Sequence, residues 1–120
     1  MNKTDYRITD DIDKVMGFIY SYYIKMHKNI KLDYLLEKLK EQDKSFSTDR
    51  LNFALKKCSE NKYVLFTKTI ADDNLNGILN WHIKEIQIAG INYIEELKKD
   101  KSKNKLFVNI ELVLFKPTLI

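Results

Sequence analysis

The sequence predicts an α+β fold in which three helices lead into one β-hairpin and a further helix follows it. Three observations carry this expectation. Apolar residues recur at helical spacing in three stretches before residue 60, the period changes to two between residues 63 and 86, and helical spacing returns from Ile88. At 120 residues the chain has the length of one domain with one core. Apolar residues make 44% of it, and Lys+Arg 21 against Asp+Glu 17 gives a net charge of +4. That balance permits nucleic acid or an acidic partner and requires neither.

The first helix is expected over residues 10–28, where Ile12, Val15, Met16, Ile19, Tyr22, Tyr23 and Met26 form one stripe. Asp10, Asp11 and Asp13 would then sit in its first turn, where the helix dipole favours anions. Phe18, Tyr20 and Ile24 lie off the stripe and suggest burial on a second side, against a partner chain. Leu32, Leu35, Leu36 and Leu39 mark a shorter second helix ending near Gln42. Ser47 reads as the N-cap of a third, with Phe46 and Leu51 spaced as a hydrophobic staple. Leu51, Ala54, Leu55 and Cys58 form its inward face, and Asn61 is expected as a left-handed stop.

YVLFTKTI, residues 63–70, is rich in β-branched and aromatic side chains. ADDNLNG supplies turn chemistry, and ILNWHIKEI, residues 78–86, alternates with Leu79, Trp81 and Ile83 on one face. Together these predict an antiparallel hairpin. The last helix of this series is expected over residues 88–99, with Gly90 in its first turn. A glycine inside a helix costs about 1 kcal/mol relative to alanine, so something other than propensity holds it there.

The order helix, helix, helix, strand, strand, helix is that of a helix-turn-helix with a wing. IQIAGINYIEEL, residues 86–97, resembles a segment of bacterial winged-helix proteins. In them the second wing strand ends in Ile/Leu-Thr, and two residues later a glycine opens a helix with an apolar-Leu-Glu-Glu run. Gln87 stands here where those proteins have the capping threonine. Over roughly residues 10–100 the chain resembles the small YjcQ-like winged-helix proteins of low-GC Gram-positive bacteria and their phages. The resemblance implies a winged-helix domain over residues 1–100, in which Gly90 lets the helix start pass close to the three-helix core. Many winged helices bind DNA, and others serve only as protein-interaction domains. The dominance of lysine, isoleucine and asparagine points to an A/T-rich genome, bacterial or phage.

Residues 101–120 are expected to form a basic linker and an apolar tail. KKDKSKNK reads as a solvated, lysine-rich run, and LFVNIELVLF, residues 106–115, satisfies a strand and a helix equally. Such a tail must pack on the core or on a second copy. A homodimer is expected, with Phe18, Tyr20, Ile24, Phe107, Ile110 and Leu114 at its interface.

The sequence carries no phosphate-cradling glycine loop, no His/Cys cluster and no Gly-x-Ser-x-Gly elbow, so neither an enzyme nor a cofactor or metal is expected. Cys58 falls among apolar helix positions and reads as a small buried hydrophobe. His82 reads as a solvated strand residue, and Asp72 and Asp73 as turn residues. The N-terminus has no signal-peptide core and no run approaches a membrane span, so a cytoplasmic protein is expected.

A DNA-binding surface needs hydrogen-bonding and cationic groups on the outer face of the third helix. Thr48, Arg50, Asn52, Lys56 and Lys57 supply them, joined by Lys44 and Ser47 before the helix and Lys68 on the wing. Arg and Asn make paired contacts with guanine and adenine edges, and lysines reach phosphates. The expectation is therefore a sequence-specific binder of double-stranded DNA, acting as a bacterial or phage transcriptional regulator. The rival expectation is a protein-interaction module, such as a phage-encoded inhibitor of a host or defence protein. Phe53, the apolar tail and the acidic Asp72 and Asp73 favour that rival.

Overall fold

The computed structural model describes residues 3–67 and 81–116, with side chains from Ile8 onward. Helix α1 spans Lys3–Met26, α2 Leu32–Gln42 and α3 Thr48–Glu60. Strands β1, Val64–Thr67, and β2, His82–Ile86, pair antiparallel. Helix α4, Ile88–Lys99, runs through a 3-10 turn at Lys101–Lys103 into α5, Asn104–Leu114. The fold is α+β and mostly helical, and its element order is compatible with a winged helix-turn-helix. No helix among the described residues is long and apolar enough to cross a membrane. Lys68, Asp72, Asp73 and Leu79 lie outside the described residues.

Helix α1 is the axis of the molecule and packs against α2, α3, α4 and α5. It begins at Lys3, seven residues before the expected start. Asp10, Asp11 and Asp13 therefore lie well inside the helix and do not meet its dipole; Asp11 and Asp13 are buried. Two-sided burial does occur, but from within the chain. Phe18 is fully buried in the protein's own core together with Val15, Met16 and Ile19.

The tail supplies the cover, and it is a helix. Ile110 and Leu114 of α5 belong to the same core as α1. Phe107 and Tyr20 are half-buried, and the Lys98 ammonium stands over both rings, at 5.4 and 5.2 Å from their centroids. Gly17 leaves room where α5 approaches: a Cβ there would come within 2.6 Å of Ile110 Cδ1, the terminal methyl of a flexible side chain. The expected dimer contacts Phe18, Ile110 and Leu114 are thus intramolecular core. Of the six expected interface residues only Ile24, 56% exposed, presents a large apolar surface to solvent.

Helix α3 ends in a Schellman motif. The Tyr63 N–H donates to Cys58 O at 2.8 Å and the Lys62 N–H to Ser59 O at 3.0 Å. The left-handed residue is Lys62, at φ 61°, one position beyond the expected Asn61, which has φ −83°. This turn aims the chain directly into β1. The ladder pairs Val64 with Ile86 and Leu65 with Glu85, then shifts so that Phe66 faces Ile83. The extra residue, Lys84, is a bulge that leaves both Lys84 and Glu85 in solvent while Ile83 is buried. On the free side of β2 the Asn29 amide donates to the Ile83 and Lys84 carbonyls at 3.1 and 3.2 Å, so a side chain satisfies that edge.

Gly90 is buried in the first turn of α4, as expected. A Cβ there would overlap the Tyr63 carbonyl oxygen and lie 3.1 Å from Met16 Cε. The same carbonyl accepts the Gln87 N–H at 2.9 Å. The glycine is needed because α4 begins against the backbone that joins α3 to β1.

Candidate nucleic-acid interface

Helix α3 is anchored on one face and open on the other. Ser47 caps it, its Oγ accepting the Arg50 N–H at 3.2 Å. Phe46 and Leu51 are both buried, consistent with the staple, and Leu51, Ala54, Leu55 and Cys58 face the core. Burial pushes the Cys58 thiol up to about 12, so it stays protonated and inert at neutral pH. The helical wheel then turns Asp49, Phe53, Lys56 and Glu60 outermost, and all four are exposed. Thr48, Asn52 and Lys57 are half-buried on the flanks, while Lys44 and Ser47 are exposed before the helix. Phe53, 49% exposed, stands between Asp49 and Glu60. The Lys57 ammonium lies 5.6 Å from its ring centroid and 3.1 Å from Glu60 Oε1.

Arg50 does not join this surface. Its Nε donates to Asp11 Oδ2 at 3.0 Å and its Nη2 to Asp11 Oδ1 at 2.7 Å. Nη1 donates to Asp43 Oδ2 at 3.3 Å and to Ser45 Oγ at 3.2 Å. The guanidinium also stacks on the Phe46 ring, 4.4 Å from its centroid. The side chain is 18% exposed and that of Asp11 is 7% exposed. Hydrogen bonding to Asp11 raises the Arg50 pKa further above its ordinary value. The Ser45 hydroxyl, with help from Lys14 and Arg50, holds the Asp43 carboxyl below the usual range.

Magnitudes decide what Arg50 does. A bidentate contact with a base discriminates by about 1–3 kcal/mol. Withdrawing Arg50 would leave Asp11 buried without its counter-charge, which costs about 3–5 kcal/mol. The expected guanine contact is therefore corrected: Arg50 is a clamp between α1, α3 and the α2–α3 connection. Its position on the wheel, at the flank of the buried stripe, was the available signal. Its partners lie 39 and 7 residues away in sequence and share no motif with it.

A second buried carboxylate does the same for α4 and the segment after it. Asp13 accepts a short hydrogen bond from the Tyr93 hydroxyl and pairs with Lys103 Nζ at 3.1 Å. Burial, then the Asp13 bond, drives the Tyr93 phenol well above its ordinary pKa, and the same carboxylate raises Lys103. Lys103 is thus a structural cation within the stretch expected to be a solvated linker. His27 and His82 are exposed. Among the described residues no group of three His, Cys, Asp or Glu side chains is placed to hold a metal ion.

Two further concavities flank the helices. One of about 380 Å3 lies among Tyr20, Tyr23, Ile24, Asn29, Ile86 and Ile91. A shallower one of about 420 Å3 includes the Tyr63 and Tyr93 rings, tilted 33° to one another with centroids 4.7 Å apart. The first is also lined by Lys84 and Glu85, and the second by Glu96 and Asp100. No protein-family model, no curated protein and no solved structure matches this chain.

Proposed function

We propose that this protein is a winged helix that binds double-stranded DNA with the outer face of α3, the reading expected of a bacterial or phage regulator. The observation that carries it is the polar chemistry along that segment: Lys44 before the helix and Lys56 on it are exposed, with the half-buried Thr48 and Asn52 between them. The helix bearing them is held by its opposite face and continues directly into the antiparallel strands. Lysines reach phosphates, and Thr and Asn hydrogen-bond base edges or backbone. The resemblance of residues 86–97 to the winged-helix segment supports the same reading. Three or four lysines in contact with phosphates give a salt slope of roughly −2 to −4. A gel-shift titration across salt concentrations tests this, and absence of a shift with any duplex at low salt would reject it.

A second reading is favoured by one observation. The outermost line of α3, Asp49, Phe53, Lys56 and Glu60, carries an exposed aromatic ring and two carboxylates, a composition that suits a protein partner. That partner would be a host or defence protein. The grounds for a homodimer, by contrast, are largely gone, since the tail covers its own core.

A further inference from the structure

With Arg50 committed to Asp11 and Asp43, α3 offers no guanidinium to solvent, yet it holds a half-exposed phenyl ring at the centre of its outer face. We propose that the duplex this protein prefers is A·T-rich, and that Phe53 reads it through the C5-methyl groups of thymine in the major groove. The proposal rests on the DNA-binding reading above and adds the base chemistry to it.

The major-groove edges of the four base pairs differ in what they offer such a face. Thymine alone presents an apolar group, its methyl, and phenylalanine is among the side chains that contact it. Guanine presents two acceptors, O6 and N7, best met by Arg or Lys. Here the arginine is held inside the protein. Lys57 is bound to Glu60 beside the Phe53 ring, and Lys56 is one turn on from Asn52, where the backbone phosphates are its natural partners. Asp49 and Glu60 lie on the same outer line as the ring and do not distinguish the base pairs, since each pair presents two acceptors and one amino group in the major groove. A carboxylate accepts from the amino group of either cytosine or adenine, and only the adenine pair also carries a methyl for the ring. Adenine offers an amino group, and its partner supplies the methyl. Ring and sequestered arginine favour the same base pair.

The size of the effect follows from the area covered. One methyl removed from water is equivalent to about a four-fold change in affinity, and two to roughly fifteen-fold.

The experiment is fluorescence anisotropy with the full-length protein at one low salt concentration and three duplexes of equal length. The first is A·T-rich, the second is the same duplex with deoxyuridine for thymidine, and the third is G·C-rich. Deoxyuridine removes the methyl and leaves every hydrogen-bonding group in place. The A·T duplex is expected to bind about four- to fifteen-fold tighter than its uracil counterpart. Phe53→Ala should bring the A·T duplex down to the uracil level without changing the salt slope, while Lys56→Ala weakens all three alike. Phe53 lies outside the core, so a melting curve close to wild type accompanies the first variant. Equal binding of the thymine and uracil duplexes, or tighter binding of the G·C duplex, overturns the proposal and leaves DNA binding standing. No anisotropy change with any duplex overturns both.

Discussion

Lys62 sits at φ 61°, a conformation whose steric cost for an L-residue is about 1–2 kcal/mol. It persists because two hydrogen bonds close α3 there and aim the chain into β1. Lys62→Gly removes the steric cost but gives back part of it as unfolded-chain entropy. The expected result is a net stabilisation of about 0.5–1 kcal/mol, read as a higher urea midpoint at unchanged slope. Arg50→Ala should act in the opposite direction and lose about 3 kcal/mol by stranding Asp11. Arg50→Lys should recover little of that, because an ammonium cannot span both Asp11 oxygens and stack on Phe46. Cys58 sets an alkaline limit. Its thiol ionises near 9.0 when unfolded and near 12 when folded, so its contribution is intact below pH 9 and is lost as pH rises towards 12. Wild-type stability should therefore fall between about pH 8 and pH 10.5 by roughly 2 kcal/mol more than that of Cys58→Ala, in paired urea melts.

At the scale of elements, two glycines fix where helices meet. Gly90→Leu forces α4 off the Tyr63 carbonyl and Met16, with an expected cost of about 1–3 kcal/mol in a thermal melt. An unchanged melt would show that α4 can begin elsewhere. The inward faces of α2 and α3 and the span of α4 were legible because each has one buried side and an apolar period that reports it. The start of α1 was not, since its first turns are charged and carry no such period. Phe18 and the tail were misjudged for a related reason. A helix covered on nearly all sides shows no polar face at its centre, and a hydrophobic pattern does not say whether the cover comes from this chain or another. Gly17, which stands against Ile110 of α5, looks in sequence like an ordinary helix weakness. On the outer face of α3, Asp49, Phe53 and Lys56 were legible, whereas Thr48, Asn52 and Lys57 are half-buried on its flanks and Arg50 is claimed by a carboxylate on another helix.

The molecule as a whole is organised around α1, with both buried carboxylates, Asp11 and Asp13, facing outward from that helix to later parts of the chain. Since Ile110 and Leu114 of the tail are already buried in the chain's own core, light scattering at tens of micromolar should give the mass of a single 14.3 kDa chain. A stable dimer would mean that the remaining exposed groups, Ile24, Val108 and Leu112 among them, suffice for association. The contact between Gly17 and Ile110 has a consequence for synthesis. Helix α1 acquires α5 as a neighbour only after α2, α3, both strands and α4 have been made. Until then the surface that receives Ile110 and Leu114 faces water on a segment rich in aromatic and branched side chains. The α1–α5 contact therefore closes only after the intervening elements have been synthesised, and a chain interrupted before α5 should expose that apolar surface and aggregate.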